Sequence, residues 1–196
     1  MTLVEFAPLF AAAFAVPQFV PQIRRVWLTN DTSGVSWTWA ALASVNNAAW
    51  FAYFFLSAYW TALIPAVSAS TLAGVLAVIL AHRGKASATS GTAVAVWASV
   101  LALSLSVGGL AGLGTLLTVA FLLQMAPSLW TAYRSTHPTG VSRGTWLLVL
   151  GELSCWLAYG VYQGDARLIV LGISGIISSL LMLARTVRPV MFQPES

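Results

Sequence analysis

Two sets of three residues stand out by type and spacing. Asn46, Trp50 and Tyr53 are separated by four and three positions, and so are Glu152, Trp156 and Tyr159. On a helix this spacing puts each set on one face. The chemistry such a face offers is recognition. The rings supply flat apolar area, and the amide, carboxyl and phenol supply hydrogen bonds to a small polar solute. Two tryptophans brought together across a path would sandwich a sugar ring or another flat solute, with the Ser68 and Ser174 hydroxyls in reserve. Glu152 is the one acid deep inside an apolar stretch. Burial disfavours its charged form, so it is the candidate for exchanging protons near neutral pH. Binding a cationic substrate, or a structural hydrogen bond across a bundle, are its other uses.

The elements that must hold these residues follow from composition. Of 196 residues, 59% are hydrophobic, and only nine Lys/Arg and five Asp/Glu are charged. An ordinary soluble domain is roughly 25% charged, so this chain lacks the polar surface to clothe a water-soluble globule. One cysteine, Cys155, excludes a disulfide scaffold. A net charge of +4 spread over the whole chain makes no groove for nucleic acid. The class left is an all-α integral membrane protein whose first partner is the lipid bilayer.

Seven segments approach the length of a membrane-crossing helix: Leu3–Ile23, Ser36–Leu56, Trp60–Leu80, Thr92–Leu110, Gly114–Tyr133, Thr145–Tyr162 and Leu168–Leu183. The first lacks a basic leader and carries Glu5, so it is expected to stay as a span. Arg24, Arg25, Arg83, Lys85, Arg134, Arg143, Arg185 and Arg188 then fall on one side, and Arg167 alone on the other. The positive-inside rule makes the first side cytoplasmic, with the N-terminus outside and the C-terminus inside.

The chain also repeats itself at an offset of 106 residues without a gap. Gln18 falls on Gln124, Pro21 on Pro127, Gly34-Val35-Ser36 on Gly140-Val141-Ser142, Trp50, Ala52 and Tyr53 on Trp156, Ala158 and Tyr159, and Ser68 on Ser174. Each copy holds three spans. An odd number would invert the second copy, and one linker span between them restores a common orientation, giving two parallel three-helix bundles. The expected division is 1–82 for the first bundle, 83–112 for the linker, 113–188 for the second bundle and 189–196 for a cytoplasmic tail. Gly108, Gly109, Gly112 and Gly114, with His82-Arg83-Gly84-Lys85, are the expected hinges of the linker.

Val20-Pro21-Gln22-Ile23-Arg24, Thr32-Ser33-Gly34-Val35-Ser36 and Trp50-Phe51-Ala52-Tyr53 resemble the signature of the PQ-loop group. The second copy keeps the proline in Ala126-Pro127-Ser128 and the Trp-Leu-Ala-Tyr stretch, and has lost the glutamine. Over about residues 16–184 the chain is similar to the SWEET and SemiSWEET sugar transporters and, more widely, to lysosomal amino-acid exporters of the cystinosin type. The resemblance implies a transporter that moves a small polar solute, a sugar in first place, by alternating access. It makes Pro21, Pro127 and Gln22 hinge residues, since proline breaks a helical hydrogen bond. It also implies an asparagine on the third helix of each bundle. Those places are Ala66 and Gly172 here, so Asn46, Asn47, Ser68 and Ser174 stand in for it. Proton-coupled transport of an amino acid or another metabolite, and a receptor on the same scaffold, are the alternative readings.

Nothing suggests an enzyme or a cofactor. Gly172-Ile173-Ser174-Gly175 spells the GxSG of rhomboid-type intramembrane proteases, but both histidines, His82 and His137, are expected in cytoplasmic loops, away from Ser174. Close helix packing is the better reading of the two glycines. No metal-ligand cluster or phosphate loop is present. One chain supplies both bundles, which suits a monomer without excluding a homo-oligomer.

Overall fold

The computed structural model describes residues 2–29, 36–134 and 143–187. All regular structure among them is helical. A short 3-10 turn at Leu3–Phe6 leads into α1 (Ala7–Thr29), followed by α2 (Trp37–Leu56), α3 (Leu63–His82), α4 (Ala88–Arg134), α5 (Arg143–Gln163) and α6 (Ala166–Val187). Three stretches, Trp60–His82, Ala88–Leu123 and Ala166–Arg185, are long and apolar enough to cross a membrane. α2 carries Asn46 and Asn47, and α5 carries Glu152 and Gln163, which lowers the apolarity of both.

Local chemistry explains the boundaries. Ser36 caps α2 by accepting the Trp39 N–H at 3.3 Å. Ser87 and Ser90 cap α4 reciprocally, each hydroxyl accepting the other residue's backbone N–H at 3.0 and 3.1 Å. Gly84 ends α3 with φ 71°, which lets the Lys85 N–H reach back to the Leu80 carbonyl at 3.0 Å. One boundary differs from the expected Leu3–Ile23: α1 runs on through Arg24 and Arg25 to Thr29, since arginine has a high helix propensity. Pro21 and Pro127 lie inside α1 and α4, both of which continue past them. The side chains of Pro21, Gln22 and Pro127 and the Gly34-Val35 and Gly140-Val141-Ser142 segments lie outside what is described.

The α4 helix is broken at one residue. Gly109 has φ 58° and ψ −154°, a conformation that only glycine adopts without strain. The chain turns back sharply there, since a Cβ on Gly112 would lie 2.8 Å from the carbonyl oxygen of Ser104. Of the four glycines expected as hinges, Gly109 therefore makes the turn, and α4 becomes two arms joined without a loop. Counting these arms, the described residues form seven helical segments.

The helices close into a ring. α3 packs on both α1 and α2, α6 packs on both α5 and α4, and the two groups meet where α1 touches α5 and α2 touches α4. Under the 106-residue offset, α1, α2 and α3 correspond to the second arm of α4, α5 and α6. The α1–α3 pair then maps onto α4–α6, α2–α3 onto α5–α6, and α1–α5 onto α4–α2. Glycines set several of these approaches. A Cβ on Gly151 of α5 would meet the Phe14 ring of α1 at 2.8 Å, and one on Gly172 of α6 would meet Leu157 of α5 at 2.6 Å.

Candidate functional site

The turns that join α2 to α3 and α5 to α6 are built alike. Ala58 and Gly164, equivalent under the offset, both have positive φ, 58° and 65°. The Tyr59 N–H reaches the Phe54 carbonyl at 2.8 Å, and the Asp165 N–H reaches the Gly160 carbonyl at 2.9 Å. Each turn thus returns the chain under the end of the preceding helix and aims its next side chain, Tyr59 or Asp165, toward the opposite repeat.

There the two repeats meet. The Tyr53 hydroxyl of α2 donates to Asp165 Oδ2 at 2.5 Å. The Tyr59 hydroxyl approaches the same oxygen at 3.4 Å. The other carboxylate oxygen, Oδ1, accepts the Arg167 backbone N–H at 2.9 Å and faces the Arg167 guanidinium at 3.9 Å. Asp165 is buried, so these donors replace the water it has lost, and the short phenol bond is of the charge-assisted kind. Burial, and then the nearby Asp165 charge, push the Tyr59 hydroxyl above the ordinary tyrosine range. The symmetry-related contact is made of rings: Tyr159 of α5 meets Tyr59 edge to face at 5.6 Å. Gln163 donates to the Tyr159 hydroxyl at 3.0 Å.

Beneath this layer lies an aromatic stack. Trp50, Phe54 and Trp156 follow one another with centroid distances of 5.4 and 5.2 Å and interplanar angles of 22° and 9°. The two tryptophans expected to line a path thus both stack on the ring of Phe54. Phe54 and Trp156 are buried and Trp50 is half-buried against them, so the stack forms an apolar contact between the repeats.

Of the residues expected to form a site, Trp50, Tyr53, Trp156 and Tyr159 come together. Asn46 accepts from the Trp97 indole N–H at 2.7 Å, a partner supplied by the first arm of α4. Glu152 is half-buried on α5 and Ser68 half-buried on α3. The Ser174 hydroxyl turns back onto the Leu171 carbonyl at 3.0 Å. Asp165 and Tyr59 fall between the expected spans, and Trp97 falls within the expected linker. The repeat held the missing signal: Asp165 is the equivalent of Tyr59, so each of the two residues faces the middle helix of the opposite repeat, α2 for Asp165 and α5 for Tyr59. Among the described residues no three His, Cys, Asp or Glu side chains gather to hold a metal.

No family model matches the chain, and no curated protein matches it.

Proposed function

We propose that this chain is a seven-span membrane transporter of the SWEET-like, PQ-loop kind, which moves a small polar solute, a sugar in first place, by alternating access between two three-helix bundles. In this reading residues 1–82 and 113–188 form the bundles, 83–112 link them, and the end bearing the Ala58 and Gly164 turns faces outward, opposite the basic end. The observation that carries it is the meeting of repeat-related faces of α2 and α5, latched by Tyr53 and Asp165 over a stack of aromatic rings. Such a layer seals a central path at one end. It is held by few polar bonds, which water can replace when the bundles rock apart. The turn end is closed in this conformation, and the solute enters or leaves there once the latch has parted.

Glu152, half-buried one turn from Trp156, is where a transporter of this kind would exchange a proton. Glu152→Gln is expected to keep downhill exchange and lose any response to an imposed pH gradient. The primary test is counterflow in proteoliposomes across a panel of sugars and amino acids. Saturable exchange of at least one solute is expected. Binding without exchange across the panel would favour a receptor on the same scaffold.

A further inference from the structure

The ring of Phe54 sits where the two repeats present their flattest surfaces to each other, and it is only 2% exposed. Trp50 and Trp156, which bracket it, are equivalent under the repeat. Phe54 itself falls on Gly160. A single object placed between two related faces can come from one of them only, and here one repeat supplies a phenyl ring while the other supplies no side chain. The neighbouring positions compensate. Leu168 fills the space that a Cβ on Gly160 would need, with its own Cβ at 2.8 Å, and the equivalent of Leu168 in the first repeat is the small Ala62. Large and small residues thus exchange between repeats: Phe54 goes with Ala62, and Gly160 with Leu168. Both Ala62 and Leu168 are fully buried, so the exchange balances volume between the two packed bundles.

Resting on the transport reading above, we propose that Phe54 is a built-in occupant of the substrate slot. In the closed state its ring takes the stacked place that a flat ring of the solute takes when the bundles separate. The slot is one ring thick, because both tryptophans stack on the same single phenyl ring, with centroids 5.4 and 5.2 Å away. The substrate class is therefore a solute with one ring-sized apolar face and polar edges. A monosaccharide pyranose fits, with its C–H face on a tryptophan and its hydroxyls toward the polar groups of α2 and α5. A disaccharide does not fit. Phe54 also sets the closed state's stability, since the outer layer cannot open while the ring is stacked on the opposite repeat.

The test uses the full-length chain with D-glucose and sucrose as probes, in wild type, Phe54→Ala and Phe54→Leu. Counterflow is measured in proteoliposomes. In parallel, a cysteine at Ala49, in a Cys155→Ser background, is labelled in intact cells by an impermeant thiol reagent. Wild type is expected to exchange glucose and exclude sucrose. Phe54→Ala is expected to admit sucrose and to label up to about tenfold faster, the worth of one lost ring stack. Phe54→Leu fills much of the volume but cannot stack, so it is expected to label faster than wild type while still excluding sucrose. It carries the labelling test if the alanine variant does not fold. Sucrose exchange by wild type as fast as glucose exchange, or labelling unchanged in every folded variant, overturns the proposal. Faster labelling with no exchange of either sugar in any variant supports the occupancy of the slot by Phe54 and counts against sugar transport.

Discussion

The Tyr59 turn and the Asp165 turn share a backbone and differ in chemistry. Both place a residue with positive φ one step before the contact residue, and both return the same backbone N–H to the end of the preceding helix. One then offers a phenol and the other a carboxylate. The phenol meets Tyr159 edge to face, whereas the carboxylate takes a 2.5 Å hydrogen bond from Tyr53. A duplicated scaffold has thus kept its geometry while its two halves took different tasks: one latch is polar and one is aromatic. A polar latch breaks when water enters. An aromatic contact can slide and re-form, so in the proposed transport cycle the pair would give a closed end that is specific in register yet able to open.

Asp165→Ala should have the largest effect. It leaves the buried Tyr53 hydroxyl without its acceptor and the part-exposed Arg167 guanidinium without its counter-charge, a loss of about 3 kcal/mol, the upper end for a buried donor left unpaired. A large drop in thermal unfolding temperature in detergent is the measure. If Asp165→Ala were as stable as wild type, the polar latch would contribute nothing to the fold. Tyr53→Phe keeps the ring and removes one hydrogen bond to a charged acceptor, a loss of about 1.5–3 kcal/mol. If the chain is the proposed transporter, labelling of its outward-facing path should rise with it, while the equivalent Tyr159→Phe, whose hydroxyl accepts from Gln163 rather than binding an acid, should change labelling little.

A reciprocal swap sharpens the comparison of the turns themselves. Ala58 carries a positive φ that glycine tolerates better, so Ala58→Gly should raise stability by up to about 1 kcal/mol and Gly164→Ala should lower it by a similar amount. Equal signs for the two substitutions would show that the turns are not equivalent. Tyr59→Phe should have the smallest effect at neutral pH, because its bond to Asp165 is long at 3.4 Å. Its effect has a pH signature. The folded state holds the Tyr59 hydroxyl neutral beyond the ordinary tyrosine range, through burial and then the Asp165 charge. That stabilisation is complete below the unfolded tyrosine pKa and is lost as pH rises through the folded one. Alkaline unfolding, followed by circular dichroism, should therefore move to higher pH in Tyr59→Phe.

Much of this was legible in the sequence where a residue type forced its own environment. The low charge, the helical periodicity and the repeat led to an all-helical chain and to the pairing of Trp50 and Tyr53 with Trp156 and Tyr159. The glycine-rich stretch located the turn within α4, though not its confinement to Gly109. The rest depended on three-dimensional contact. Asp165 sits in a short turn, where an acid is ordinarily solvated, and only packing against α2 buries it. Trp97 reads as a lipid-facing aromatic until the first arm of α4 lies against Asn46. The tryptophan pair reads as an open slot because spacing reports direction and not occupancy, and Phe54, four residues from Trp50, lies on the same helical face.

The closed turn end is tested most directly by distance. Trp60 and Ala166 are equivalent under the repeat, exposed, and sited at the starts of the third helices of the two bundles. Nitroxide labels at these two positions, in a Cys155→Ser background, report the separation of the bundles by double electron–electron resonance in nanodiscs. A latched end predicts one short, narrow distance population in the parent protein and a second, longer population when Asp165→Asn and Phe54→Ala are introduced together. A single distance that is the same in the parent and in the double variant would contradict the latch and the alternating opening built on it.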